Sequence, residues 1–187
     1  FHPTDQNIIY ASTFNQDSRI YVSYDKGVTF SQSGPLQTGI INGGNNSNIQ
    51  LAVSSACENC VFVGTSDGIW KSENIGENFI FISDPEIDNY GAFTVSDTDV
   101  NYMIFGDIDT HRSTDGGQTW NQVTYWSTGD ANYNTTGQYV HADIRGAKSY
   151  NGVFWVNTDG LLAKSSDNGI TWEIFEGQSI RENYCLG

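Results

Sequence analysis

An eight-residue motif occurs four times in the chain, and it constrains the fold more strongly than any other feature. Its pattern is Ser, any residue, Asp or Asn, any residue, Gly, any residue, Thr or Asn, and finally Trp or Phe. The copies begin at Ser23, Ser72, Ser113 and Ser165, so they are spaced by roughly 40 to 50 residues. Repeats of this length are typical of propellers, solenoids and other arrays of one supersecondary unit.

Each repeat divides into four short segments that are rich in β-forming residues. Aromatic residues make up 13% of the chain and there are 20 glycines, a composition that suits short strands joined by tight turns. Four antiparallel strands per repeat, here denoted A to D, predict an all-β fold, a β-propeller segment in which each repeat is one blade. The predicted blades span 1–33, which lacks its strand A, 47–83, 91–124 and 140–177, and residues 178–187 are predicted to begin a further blade.

The repeated motif lies at the predicted turn between strands C and D, and its residues have roles in folding. The Asp can accept hydrogen bonds from turn N–H groups, and the Gly allows a backbone conformation that other residues resist. The Thr is expected to begin strand D, and the Trp or Phe ring to be buried beneath the turn. The second copy has Asn at the Asp and Thr positions and is expected to form a weaker version of this turn. The positions predicted to be structural are Ser23, Asp25, Gly27, Phe30, Ser72, Asn74, Gly76, Phe79, Ser113, Asp115, Gly117, Trp120, Ser165, Asp167, Gly169 and Trp172.

The four motifs resemble Asp-box repeats, also called BNR repeats, at a spacing that covers nearly the whole chain. Such repeats occur in sialidases, in xyloglucan-cleaving glycoside hydrolases and in sortilin/VPS10-like propellers. Residues 139–146, 153–160 and 180–184 are also similar to propeller regions of large secreted bacterial surface proteins. The resemblance implies that the motifs lie on the face away from the ligand and that the protein is secreted or displayed at a cell surface. It also implies a glycan or an extracellular protein as partner, together with the remaining blades of its own parent chain.

The long segment between blades 3 and 4 belongs to the opposite face of the predicted propeller, where a ligand is expected. Tyr125, Trp126, Asp130 and Tyr133 combine aromatic rings with a nearby carboxylate, which suits stacking on sugar rings. The alternative is that these rings pack over the junction between two blades.

Three further polar residues lie at the start of the fourth blade. Alternation along a strand would place His141, Asp143 and Arg145 on one face. They could bind an acidic or sugar ligand, or they could form an ion pair and a histidine contact between neighbouring blades.

No catalytic residue, cofactor or metal ligand is assigned from the sequence. Glycoside hydrolysis needs two carboxyl groups roughly 5–10 Å apart, and sialidases need a cluster of arginines. No pair stands out among six aspartates expected near the ligand face, and the four arginines form no triad. We therefore predict a non-catalytic binding or scaffold module; the alternatives are part of a glycoside hydrolase and a sortilin-like peptide-binding propeller. The aspartates are Asp67, Asp88, Asp109, Asp130, Asp143 and Asp159, and the arginines are Arg19, Arg112, Arg145 and Arg181.

The net charge argues against nucleic acid as a partner, and the hydropathy argues against insertion into a membrane. The chain has 22 acidic and 8 basic residues, for a net charge of −14. This charge repels phosphate backbones and anionic membrane surfaces, so nucleic acid is not an expected partner. No apolar run reaches the roughly 18 residues that a membrane span requires, so no membrane insertion is expected.

Two of the three cysteines lie close together, between two predicted strands. Cys57 and Cys60 are predicted to form a small disulfide at a hairpin turn, in an oxidising compartment. Two reduced thiols are the alternative interpretation, and half of a zinc site would need a second pair. Cys185 has no partner that the sequence identifies.

Overall fold

The computed structural model describes residues 1–13, 19–33, 49–65, 67–86, 91–127, 129 and 138–175. Within these ranges the chain forms fifteen strands in four antiparallel sheets and no helix. The described residues therefore include no helix that is long and apolar enough to cross a membrane. The chain divides into two units, residues 1–87 and 88–187, and each unit contains two of the sheets. The predicted all-β propeller architecture is confirmed.

The first unit contains blades 1 and 2. Blade 1 has three strands in the order β1-β2-β3, and blade 2 has four in the order β4-β5-β6-β7. Their hydrophobic core consists of Ile20, Ile49, Val61, Val63, Trp70 and Phe79. The strands are β1 (Ile9–Ser12), β2 (Ile20–Ser23), β3 (Ser31–Gln32), β4 (Gln50–Ser54), β5 (Cys57–Thr65), β6 (Gly68–Ser72) and β7 (Ile80–Ser83).

The second unit contains blades 3 and 4, in the strand orders β8-β9-β10-β11 and β12-β13-β14-β15. Its core includes Ile104, Ile144, Phe154, Val156 and Trp172. The strands are β8 (Ala92–Val95), β9 (Met103–Gly106), β10 (Thr110–Ser113), β11 (Asn121–Gln122), β12 (Ile144–Tyr150), β13 (Val153–Thr158), β14 (Leu162–Ser165) and β15 (Glu173–Phe175).

The segment with Cys57 and Cys60 was predicted to lie at a hairpin turn between two strands, but it is part of β5, which begins at Cys57. Blade 1 has no strand A among the described residues. The predicted opening strand of a further blade, within 178–187, lies outside the described residues.

The motif serine, predicted to be structural but without a specific contact, organises the turn. In blade 3 the Ser113 hydroxyl accepts a hydrogen bond from the Gly117 N–H and donates one to Asp115 Oδ1, both at 2.8 Å. Asp115 Oδ1 accepts the Thr119 N–H at 2.9 Å, and Asp115 Oδ2 accepts the Thr119 hydroxyl at 2.6 Å. Blades 1 and 4 repeat this network.

The expectation that the motif Thr begins strand D is wrong. Strand β11 begins at Asn121, two positions after Thr119, because the Thr hydroxyl and N–H are both bonded to the Asp carboxylate within the turn. In blade 2, Asn74 Oδ1 accepts the Ser72 hydroxyl at 2.8 Å and the Asn78 N–H at 3.1 Å. A neutral acceptor therefore keeps the shape of this turn.

Two consecutive residues in each motif have left-handed backbone conformations. The motif Gly has φ between 83° and 90° in all four copies, and the preceding residue has φ between 58° and 74°. In three blades, the N–H of that preceding residue donates at 2.9–3.0 Å to a carbonyl at or just before the start of strand B, which places the C–D turn beside that end of strand B. The donor and acceptor pairs are Lys26 with Asn7, Ile75 with Asn59, and Gly116 with Asn101.

In both units the motif of the second blade packs on the first blade. The Ser33 hydroxyl of blade 1 donates to the Gly76 carbonyl of blade 2. In unit 2, Arg112 Nε of blade 3 donates to the Asn168 carbonyl of blade 4. A Cβ added at Gly169 would lie 2.9 Å from Ile104 Cδ1, so the glycine permits this close approach.

Burial of the motif aromatic residue differs among the blades, which corrects the expectation that all four rings are buried. Phe79 is 1% exposed and Trp172 is also buried, and each belongs to the core of its unit. Trp120 is half-buried against Phe105, and Phe30 is 44% exposed. The difference follows the packing just described, because only the blade 2 and blade 4 motifs pack on another sheet of their own unit.

The motif carboxylates make stability dependent on pH in acid. The hydroxyl and N–H of Thr29 lower the pKa of Asp25 to about 2. Partial burial raises the pKa of Asp115 and of Asp167, but the hydrogen bonds from Thr119, Ser113, Thr171 and Ser165 outweigh it and lower both values. As the pH falls, the unfolded chain therefore takes up protons before the folded chain does. The stabilisation of the fold by these ionised carboxylates is complete above about pH 4 and is lost toward about pH 2.

We expect the melting temperature to fall across this interval, and to fall less steeply in the triple variant Asp25→Asn, Asp115→Asn, Asp167→Asn. Asparagine already occupies the equivalent position in blade 2, so the variant should fold. Thermal melts at a series of pH values measure both slopes. An equally steep slope in the variant would show that these carboxylates are not the groups being protonated.

Candidate functional site

The candidate site lies in unit 2, on the side of blades 3 and 4 that carries the turns between strands B and C. The described parts of the segment that connects strand D of blade 3 to strand A of blade 4 lie on the same side. We call it the Trp126 face and define it as Asp107, Ile108, Asp109, Trp126, His141, Asp143, Arg145 and Asp159. The motif turns instead contact the segments at the start of strand B, through the hydrogen bonds given above. The motifs are therefore structural and are not part of this site.

Trp126 has an anchored backbone and an exposed ring. Its N–H donates to Asp109 Oδ1 at 2.8 Å, and the other carboxylate oxygen of Asp109 accepts Gln122 Nε2 at 3.0 Å. The residue is nevertheless 53% exposed. A ring held in this way is available to stack on a ligand.

Tyr125 has the opposite arrangement. It is buried, and its N–H donates to the Gln138 carbonyl at 2.9 Å. Gln138 in turn accepts the Trp172 N–H through its side-chain oxygen at 2.9 Å. Tyr125 therefore packs at the junction of blades 3 and 4, as the alternative interpretation of this segment expected. Asp130 and Tyr133 lie outside the described residues.

The B–C turn of blade 3 is bonded directly to the start of blade 4. The Ile108 carbonyl accepts the Asp143 N–H at 3.1 Å, and the Asp107 carbonyl accepts the Ile144 N–H at 2.7 Å. Ile108 itself is exposed. These bonds place the B–C turn of blade 3, whose Asp109 accepts the Trp126 N–H, directly beside the start of blade 4.

Arg145 is the centre of the charged group. Its Nε and Nη2 donate to the two oxygens of Asp159 at 2.7 and 3.0 Å, and Nη2 also lies 3.4 Å from Asp143 Oδ2. The parallel pair of bonds to Asp159 is the strong bidentate arrangement of arginine and carboxylate. The guanidinium is thus already occupied by carboxylates of the protein.

The reason given from the sequence for grouping His141, Asp143 and Arg145 was strand alternation, and that reason is wrong. Strand β12 begins at Ile144, Asp143 has a left-handed backbone with φ of 63°, and the register shifts between Ile144 and Gly146. Arg145 is therefore the extra residue of a β-bulge, which redirects its side chain. His141 Nδ1 lies 3.1 Å from the Ala142 carbonyl, and its ring lies against Gly160.

Asp159 was expected near the ligand face from the sequence, but its pairing with Arg145 was not predicted. The side chain of Arg145 lowers the pKa of Asp159 through its hydrogen bonds, with burial opposing the change. The available signal was its place in the B–C turn between β13 and β14, on the same side of the sheet as residues 141–145. Pairing of Ile144 with Thr158 brings the two segments together, and that register could not be read from the sequence.

The cysteine pair lies on the motif side, in unit 1. Cys57 and Cys60 form a disulfide within β5, and the Asn59 carbonyl between them accepts the N–H of Ile75 in the blade 2 motif. Cys185 lies outside the described residues. Among the described residues, no group of three or more His, Cys, Asp or Glu side chains could hold a metal ion.

The motif and the sheet geometry agree with a known repeat. Residues 111–122, which contain the third motif, match the BNR/Asp-box repeat. The motif is an Asp box. No match was found among curated protein sequences.

Several solved structures have the same fold at low sequence identity. An ancestral GH74 enzyme superposes with a TM-score of 0.64 at 19% identity, over 95% of this chain and 23% of the enzyme. The GH74 xyloglucanase from Xanthomonas campestris superposes with a TM-score of 0.60 at 16% identity, over 94% of this chain and 30% of the enzyme. A nidogen/laminin complex gives a TM-score of 0.62 at 9% identity, over 92% of this chain and 61% of the matched chain. At these identities the similarity supports the propeller fold, and this chain spans less than a third of each GH74 enzyme.

Proposed function

We propose that the chain is a non-catalytic propeller module of a secreted or cell-surface protein, and that it binds glycans on the Trp126 face. The observation that carries the proposal is the exposed side chain of Trp126, whose N–H is bonded to Asp109, together with carboxylates of the same face that already have protein partners. Aromatic rings next to polar groups are the usual elements of a sugar-binding surface.

The carboxylates of this face are bonded in ways that do not suit acid–base catalysis. A general acid for glycoside hydrolysis needs a raised pKa, whereas Arg145 lowers the pKa of Asp159. Asp143 contacts the same guanidinium, and Asp109 holds the Trp126 N–H and the Gln122 amide. These residues therefore fit a binding surface better than a pair of catalytic groups.

The alternative is that the chain is part of a glycoside hydrolase whose catalytic residues lie partly elsewhere. The fold similarity to GH74 enzymes over 94–95% of this chain favours it as the second candidate. The two proposals differ in turnover. Incubation of the protein with xyloglucan and sialoside oligosaccharides, followed by chromatography of the products, separates binding from hydrolysis.

The binding proposal is tested with Trp126→Ala, which should reduce the affinity for a bound oligosaccharide by about tenfold or more because the stacking surface is lost. The matched control is Tyr24→Ala, since Tyr24 is also 53% exposed but lies in the first Asp box. Titration calorimetry on an oligosaccharide selected from a glycan array measures both affinities. The control should bind as tightly as the wild type, and both variants should keep their melting temperatures.

Unchanged binding by Trp126→Ala, or no binding of the wild type to any glycan, would contradict the proposal. Capture of an extracellular peptide instead of a glycan would favour the sortilin-like alternative.

A further inference from the structure

The charges around Trp126 indicate which sugars this face accepts. We propose that the Trp126 face binds uncharged sugars and discriminates against sugars that carry a carboxylate. This inference rests on the proposed function and deepens it, because it names the class of glycan.

The first part of the argument is that Arg145 is not free to bind a ligand carboxylate. Proteins recognise sugar carboxylates through the planar fork of an arginine, which forms two parallel hydrogen bonds. In this structure Asp159 occupies that fork, at 2.7 and 3.0 Å, and Asp143 lies 3.4 Å from the same Nη2. The Arg145 and Asp159 side chains are 23% and 19% exposed, so a ligand would have to displace a partly buried ion pair.

The second part is the balance of charge across the face. The guanidinium of Arg145 contacts Asp159 and Asp143, and the turn that contains Asp107 and Asp109 is bonded to the backbone of Asp143 and Ile144. The whole chain, these aspartates included, has a net charge of −14. A ligand carboxylate would therefore approach a surface of its own sign without gaining a bidentate partner, whereas an uncharged hydroxyl can donate to these oxygens.

The third part is that the charged group and the aromatic ring belong to one surface. The Asp107–Asp109 turn accepts N–H groups from Asp143, Ile144 and Trp126. We expect a sugar that stacks on Trp126 to meet Asp109, whose carboxylate accepts the Trp126 N–H. A carboxylate on that sugar would be repelled there.

The experiment compares related glycans with and without a carboxylate. We would titrate the full chain with lactose and 3′-sialyllactose, with cellobiose and its glucuronosyl analogue, and with galactotriose and trigalacturonic acid. The uncharged member of any pair that binds should bind at least about tenfold more tightly. Equal or tighter binding of the acidic member would overturn the inference and leave the proposed function intact. Failure of every glycan here and on the array would overturn the proposed function itself.

The role of Arg145 is tested with Asp159→Ala, which releases the arginine fork. This variant should gain affinity for the acidic sugars by about tenfold, since a charge-assisted hydrogen bond becomes available. The matched control is Asp67→Ala, which removes the same charge from the equivalent B–C turn of blade 2 and should leave the selectivity of the wild type. Asp159→Asn, which removes the charge and keeps a hydrogen-bond acceptor, should give a smaller gain. If Asp159→Ala does not fold, Asp159→Asn is the variant that tests the role of Arg145. Unchanged selectivity in a folded Asp159 variant would contradict that role.

Discussion

Replacing Phe79 with alanine is expected to destabilise the protein by about 3–5 kcal/mol, whereas the same change at Phe30 should cost under about 1 kcal/mol. Both residues occupy the aromatic position of an Asp box. Phe79 is 1% exposed and packs with Ile20 and Trp70 in the core of unit 1, so its removal leaves a cavity. Phe30 is 44% exposed and belongs to neither core cluster.

Chemical denaturation of the two variants, monitored by tryptophan fluorescence, measures this difference. Phe30→Ala is the control, because it removes the same ring from the same position of the motif. Equal losses of stability would mean that the aromatic residue acts within its own turn. A large difference would show that it acts through packing against the preceding blade.

Replacing Gly169 with alanine should also be strongly destabilising, by about 2–5 kcal/mol. An L-residue pays about 1–2 kcal/mol for a left-handed backbone, and Gly169 has φ of 83°. The added Cβ would lie 2.9 Å from Ile104 Cδ1 and 3.1 Å from Arg112 Cδ, which adds the roughly 1–3 kcal/mol cost of overpacking. The substitution therefore strains both the turn and the contact between blades 3 and 4.

Gly116→Ala separates these two contributions. Gly116 has φ of 74°, but a Cβ there would meet nothing closer than Asn101 Oδ1 at 3.8 Å. Other boxes already carry Lys26, Ile75 and Asn168 at this position, so we expect a loss of about 1–2 kcal/mol or less. Similar losses for Gly116→Ala and Gly169→Ala in thermal melts would argue against a role for Gly169 in packing between blades.

The sequence predicted the fold because the repeated motif describes a local structure. The spacing of Ser, Asp, Gly and Thr is enough to close one turn with its own side chains, and that turn can be inferred from a few consecutive residues. The hydroxyl of Thr119 was misinterpreted because β-branching suggested a strand, whereas the nearby carboxylate of Asp115 provides a stronger local partner.

The candidate site was harder to predict because it depends on contacts between distant segments. Arg145 meets Asp159 across a strand pair whose register contains a bulge, and a bulge changes which residues share a face. Trp126 was predicted from the sequence to be a ligand-binding aromatic residue, and the structure shows it 53% exposed with its N–H bonded to Asp109. Tyr125, its neighbour in sequence, is buried instead, and composition alone does not distinguish the two.

The Asp box also acts beyond its own hairpin. In blades 2 and 4, a backbone carbonyl of the box accepts a hydrogen bond from a side chain of the preceding blade. Ser33 and Arg112 hold the carbonyls of Gly76 and Asn168, so the loss of one blade would leave these side chains without their acceptors. Nearest-neighbour terms of this kind make adjoining repeats melt together rather than singly. We therefore expect a pair of blades to be the smallest cooperative element of each unit. The stability of each Asp-box hairpin then depends on the neighbouring sheet as well as on its own hydrogen bonds.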